Sequence, residues 1–220
     1  MNIIPHIVSF AEIPEIAANS ERTVLMVRHS FRKSLVNGNH DPGLTDAGYE
    51  YAVECGKYLK GMRNVYFGAS SRKRTMETVK GLISGAGFSS REITPCPLLH
   101  DTAMFLKPEN LGIAIENGSI PALLKSYFTT GTAPGMGDIK EFAPELATFL
   151  TGSFPCPNVI LSTHDIVVVA LLSFYKVYEF KQEDWCGYIH GAFLYLKQGV
   201  WNIAYTVPDA EKRQLTQLFV

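Results

Sequence analysis

Arg28 and His29 close the short apolar run Thr23–Val27, and two further cations follow at Arg32 and Lys33. A run this brief and this rich in Val and Leu reads as a strand buried on both faces, and such strands present their chemistry just beyond the carboxyl end. Asn158–Asp165, NVILSTHD, has the same construction and delivers His164 and Asp165. A third stretch, VYFGASSRKRTMET at Val65–Thr78, ends in small residues and sets Arg72, Lys73 and Arg74 at the opening of a helix. A helix amino terminus already carries partial positive charge and unpaired N–H groups, so arginine there makes a place for an anion. The implied chemistry is imidazole working beside an anion held by guanidinium groups. Solvated charge at a strand end, or a basic surface loop, would explain any one segment alone. Two histidines in the same setting are harder to explain that way.

The elements that must position these residues follow from periodicity and turn chemistry. Residues 1–22 read as a leader packed on the domain, with a short helix near Ile13–Ala18. After the first buried strand, Asn37, Gly38, Asn39, Asp41, Pro42 and Gly43 predict a turn-rich loop. Thr45 is the expected N-cap of a helix in which Ala47, Tyr51, Ala52, Cys55, Tyr58 and Leu59 share one face, with Gly61 as its stop. A strand near Val65–Phe67 then leads to a helix from about Arg74 to Ser84, closed by Gly85 and Gly87. Residues 88–140 are irregular, rich in Phe, Leu, Pro and Gly, and are expected to form a small cap. A helix near Ala143–Leu150, the NVILS strand and an apolar helix after Asp165 complete the α/β pattern. AFLYL and WNIAYT predict a hairpin at the sheet edge, and Pro208–Leu218 a short terminal helix.

With 220 residues, 46% apolar content and a formal net charge of −1, one soluble domain with a modest insertion is expected, and nothing global points to nucleic acid or an anionic membrane. Cys55, Cys96, Cys156 and Cys186 lack CxxC spacing, so no zinc or redox motif is present. The amino terminus lacks a basic region, Pro5, Glu12 and Glu15 interrupt it, and no run of about 18 apolar residues follows. A cytoplasmic protein with free thiols is the expectation.

The motifs resemble those of the histidine phosphatase superfamily, which includes histidine acid phosphatases and phosphoglycerate mutase-like proteins. Arg28-His29-Ser30-Phe31-Arg32 is similar to its RHGxR motif, LTDAG at 44–48 to its helix start, and SSRKRTMET to its serine-containing strand end, with Arg74 as the pocket arginine. STHDIVVVALLSFY resembles the His-Asp segment of the acid phosphatase branch, and GYIHGAFLYL the strand that follows it. Two departures are Ser30 in place of the usual Gly and Ser34 where the acid phosphatases often have Pro. The resemblance implies a three-layer α/β/α sandwich with a mostly parallel central sheet, a small cap at about 88–140 and a comparatively open site.

It also implies the roles. Arg28, Arg32, Arg74 and His164 would bind phosphate, His29 would attack phosphorus to form a phosphohistidine, and Asp165 would serve as general acid and then base. Asp101, in LLHD, is the rival carboxylate, as in the mutase-like branch. A phosphoryl transition state spreads charge over its oxygens, which suits guanidinium forks, and neighbouring cations should keep His29 neutral. No cofactor is implied, and three arginines would repel a divalent metal. His6, His40, His100 and His190 have no readable partner pattern and are expected to be structural or exposed. The implied activity is hydrolysis of a small-molecule or protein phosphomonoester. A phosphotransferase or mutase of the same fold, and a phosphate-binding module without turnover, are the alternatives.

Overall fold

The computed structural model describes residues 1–4, 6–34, 41–89, 92–107, 109–110, 127–180 and 185–209. Its centre is β3 (Arg22–Arg28), parallel to β6 (Asn158–Thr163) on one side and antiparallel to β7 (Gly191–Lys197) on the other. Beyond β6 come β4 (Val65–Ala69) and the two-residue β5 (Thr94–Pro95), both parallel. Beyond β7 comes β8 (Val200–Val207), which also pairs with β1 (Asn2–Ile3) and β2 (Val8–Ser9). The sheet order is therefore β1-β8-β7-β3-β6-β4-β5, with β2 also on β8.

Period-two alternation along β3 explains the layering. Leu25 and Val27 join the core under α1 (Ile13–Ala18), α2 (Asp46–Lys57) and α3 (Lys73–Ala86), whereas Val24 and Met26 join the core under α4 (Ile139–Thr151) and α5 (Asp165–Phe174). Both faces are covered, so every side chain from Val24 to Val27 is fully buried. The result is the expected α/β/α sandwich around a mostly parallel sheet.

Several local expectations shift. The leader contributes strands as well as its helix, because β8 leaves backbone groups for β1 and β2 to pair. For the same reason the β7–β8 hairpin lies inside the sheet and not at its edge. The α2 helix does start at Thr45, whose Oγ1 accepts from the Gly48 N–H at 3.0 Å, but it ends at Lys57, before Gly61. Gly85 lies within α3, and Gly87 alone is the left-handed terminator, with φ 71°. Pro144 falls inside α4, which begins five residues earlier on an Asp138 cap that accepts from the Lys140 N–H at 2.8 Å. Asn37, Gly38 and Asn39, residues 90–91, 108 and 111–126 of the cap expected at about 88–140, and nearly all of the expected terminal helix lie outside the described residues. The described part of 88–140 supplies β5 and packs Met104, Phe105, Tyr127 and Met136 into the α4–α5 core. Among the described residues, no helix is long and apolar enough to cross a membrane.

Gly85 is placed where it is by packing. A Cβ there would lie 1.9 Å from the Val53 carbonyl oxygen, and one at Gly56 would lie 2.4 Å from the Leu82 carbonyl oxygen. The α2 and α3 backbones thus touch through glycines, which fixes the height of α3, the helix that carries Arg74. Gly85→Ala is expected to destabilise the protein by about 2 kcal/mol, overpacking outweighing a helix-propensity gain of about 1 kcal/mol. Urea unfolding checks this, and a variant as stable as the parent would refute the close approach.

Candidate active site

Strand register brings the two histidines together. Arg28 pairs with Thr163, and the His29 N–H donates to the Thr163 carbonyl at 2.9 Å, so His29 and His164 leave adjacent strand ends side by side. Their ring centroids lie 5.5 Å apart, and both residues are buried, His29 to 4% and His164 to 2% residual exposure.

The hydrogen bonds assign the tautomers. His29 Nδ1 lies 2.8 Å from the Ser30 carbonyl oxygen, which can only accept, so Nδ1 carries the proton and Nε2 keeps its lone pair. For His164, Nδ1 lies 3.2 Å from Arg74 Nη2, a donor, so Nδ1 accepts and the proton sits on Nε2, where Ser70 Oγ receives it at 2.9 Å. Ser70 is set by the end of β4, its N–H donating to the Ser162 carbonyl, and Thr75 Oγ1 lies 2.9 Å from its hydroxyl. Three neighbouring parallel strands therefore each deliver one group to a single point.

Electrostatics keep both imidazoles neutral. Burial is the main cause of the His29 depression, with the charges of Arg74 and Arg28 adding to it against the Ser30 hydrogen bond, and its pKa falls to about 3. His164 is driven well below its ordinary value, again chiefly by burial, with Asp101 opposing and Arg74 assisting. Neighbouring positive charge, the cause expected from sequence, comes second to desolvation. Because these depressed values belong to the folded state, acid favours unfolding: below about pH 6.5 the unfolded chain takes up protons that the folded chain refuses. We expect stability to fall on acidification from pH 6.5, by up to about 1.4 kcal/mol per pH unit for each histidine, with the His29 share continuing to about pH 3. A melting temperature that is unchanged between pH 7.5 and pH 5 would contradict this.

Arg74 is the buried cation of the site. Its Nη2 donates to Asp101 Oδ2 at 2.8 Å as well as facing His164, and its Nη1 lies 3.6 Å from Asp41 Oδ1. Burial lowers its pKa and Asp101 counteracts this. Arg72 grips the other Asp101 oxygen, Nε at 3.3 Å and Nη2 at 3.2 Å. Burial alone would raise the Asp101 carboxyl, but His100, His164, Arg72 and Arg74 together hold it well below the usual carboxylate range. Among the described residues, Arg74 Nε is a buried donor without a protein partner, as is Arg28 Nε. A cradle with spare donors, already gripping one carboxylate, is suited to anions.

The remaining residues singled out from sequence are placed differently. Arg28 turns to the rim: Nη1 donates to the Cys186 carbonyl at 2.5 Å, Nη2 lies 3.2 Å from Asp165 Oδ2, and the guanidinium carbon lies 4.3 Å from the centroid of the Tyr188 ring. Asp165 is 32% exposed in its side chain, accepts from Trp185 Nε1 at 3.1 Å and accepts from the Ile166 N–H. Its charge is nonetheless felt at His29. Arg32 donates to the Lys33 carbonyl at 3.1 Å, and its charge reaches Arg74. His100, expected to be structural or exposed, belongs to the site, with its ring 6.1 Å from that of His164 and Nδ1 2.9 Å from Asp101. Arg72 was read from sequence only as part of the anion-attracting helix start, and Trp185 and Tyr188 carried no assignment. The two aromatics could not be found from sequence, because their placement depends on β7 running antiparallel to β3. Among the described residues, no group of three or more His, Cys, Asp or Glu side chains is arranged to hold a metal, and none of the four cysteines is in a disulfide.

Comparison with known proteins bears on the fold. Residues 18–105 match the model of the histidine phosphatase superfamily (branch 1). No curated protein matches the chain. Among solved structures, a phosphoglycerate mutase from Bacillus anthracis superposes with TM-score 0.58 at 15% identity, over 89% of this chain and 97% of that one. YhfR of Bacillus stearothermophilus gives 0.57 at 17% identity, over 83% and 95%. A mycobacterial glucosyl-3-phosphoglycerate phosphatase complexed with VO3 gives 0.55 at 19% identity, over 86% and 100%. Identities this low establish a shared phosphoglycerate mutase-like fold. The matching model is that of branch 1, whereas the His-Asp segment had pointed to the acid phosphatase branch.

Proposed function

We propose that the chain, which matches the histidine phosphatase superfamily over residues 18–105 and has the phosphoglycerate mutase-like fold, is a phosphatase that hydrolyses a phosphomonoester through a phosphohistidine on His29. The observation that carries this reading is the meeting of His29, His164 and Arg74 at one point, with His29 Nε2 unprotonated. Substrate phosphate takes over the donors of Arg74, and Arg28 and Arg32 add positive potential from the rim. His164, once a phosphate dianion lies beside it, draws a proton to Nδ1 and donates to an equatorial oxygen.

In the first step His29 Nε2 attacks phosphorus, the P–N bond forms, the ester P–O bond breaks, and the departing oxygen receives a proton from a carboxyl group. In the second step water attacks phosphorus, its proton returns to that carboxylate, and the P–N bond breaks to release phosphate. Two carboxylates are within reach. Sequence put Asp165 ahead, but the contacts favour Asp101: its Oδ2 shares the Arg74 Nη2 contact with His164 and lies 4.0 Å from His164 Nδ1, whereas Asp165 is tied to Arg28 and Trp185. A phosphate dianion that displaces the Asp101 carboxylate from its arginines also removes two of the causes that hold its pKa down, His100 being the other direct partner, and so moves it toward an acid. With an alkyl phosphate, whose leaving group needs the proton, Asp101→Asn is expected to cost about 10²-fold or more in kcat, and Asp165→Asn much less. The reverse order would return the role to Asp165.

The defining experiment is hydrolysis of a chromogenic aryl phosphate by purified protein in the presence of a chelator. Turnover is expected. Saturable binding of inorganic phosphate without turnover would instead support a non-catalytic phosphate-binding module. The stretch 88–140, which carries Asp101, is proposed to cap the site and the chain to act in the cytoplasm.

A further inference from the structure

Beside the cationic cradle runs an aromatic surface that the reaction above leaves without a role. Phe31 stands two residues after the buried His29, yet it is 39% exposed. Its ring lies 4.5 Å from that of Tyr188 and 5.2 Å from that of Tyr51 on α2. Tyr188 in turn lies 6.0 Å from the His29 ring and covers Arg28 at 4.3 Å. A single exposed phenylalanine is ordinary, but this one is the outer end of an unbroken aromatic path to the imidazole.

We infer that Phe31 and Tyr188 form the leaving-group subsite and that it takes an aromatic ring, so the preferred substrates are aryl or arylmethyl phosphate monoesters. This inference rests on the phosphatase reading and names its substrate class. Ring faces near 4.5 Å offer a third ring the offset or edge contacts that aromatics favour. A sugar phosphate would instead press its hydroxyl groups against the apolar ring faces of Phe31 and Tyr188. A phosphorylated carboxylic acid would look for a second cation, and Arg28, covered by Tyr188, is already engaged by Asp165 and the Cys186 carbonyl.

The test compares benzyl phosphate with n-propyl phosphate, whose alkoxide leaving groups are similarly poor, so that the ring and not leaving-group reactivity is read. The wild-type protein is expected to favour benzyl phosphate by about tenfold in kcat/KM, mainly through KM. Phe31→Ala and Tyr188→Leu should each reduce that ratio to within about threefold of unity, with Phe31→Leu intermediate and available should the alanine variant fail to fold. A wild-type ratio near one, or an undiminished ratio in both variants, overturns the subsite. If no ester is hydrolysed, the phosphatase reading fails. The subsite then stands or falls on whether benzylphosphonate binds about tenfold more tightly than propylphosphonate.

Discussion

His29→Ala is expected to lower kcat for a phosphomonoester by at least about 10³-fold while leaving inorganic phosphate binding within about tenfold of wild type. Removing a nucleophile removes the covalent route itself, and what survives is the electrostatic contribution of the cradle. The cradle does not depend on the imidazole: Arg74 is held by Asp101 and Asp41, and His164 by Ser70 and Arg74. The same substitution also deletes a buried group whose pKa is pushed down to about 3. The variant should therefore lose less stability than wild type between pH 6.5 and pH 5, a readout that does not need activity. Retention of more than a tenth of wild-type turnover would exclude His29 as the nucleophile.

Arg74→Ala carries the second large effect. One guanidinium faces His164, grips Asp101 and keeps a buried Nε donor that no described residue satisfies. Losing a donor aimed at developing charge costs about 10²–10³-fold in rate, and here a full charge goes with it, so a fall of about 10³-fold in kcat/KM is expected. Arg74→Lys keeps the charge but not the fork, and a lysine cannot span His164 and Asp101 together, so about 10²-fold should still be lost. Stability should fall as well, because Asp101 loses one of its two arginines while remaining buried. Assaying well below the melting temperature separates the two effects. An alanine variant within tenfold of wild type would mean that the phosphate is bound elsewhere.

Much of this site could be read before any fold was known. The Thr23–Arg28 and Asn158–His164 runs announce themselves because parallel strands buried on both faces need unbroken apolar sequence, and their ends are where side chains become free to work. Thr45 was legible because a hydroxyl N-cap is a local device. What escaped depended on long-range pairing. Tyr188 reaches His29 only because β7 runs antiparallel to β3, and His100 and Asp101 reach His164 only because β5 extends the sheet past β4. Gly85 looks like a helix terminator and is instead a contact between two helices, a role visible only once α2 lies against it. Which arginine each of Asp165 and Asp101 meets is likewise set by the fold, and no spacing rule encodes that.

The most direct measurement is a rapid-quench experiment with a phosphorus-labelled monoester and peptide mapping of the trapped protein. A transient label is expected, stable to alkali and labile to acid, carried by the peptide containing His29 and missing from His29→Ala. Burst-free hydrolysis with no protein-bound label under conditions of full turnover, or a label on any other residue, would contradict it.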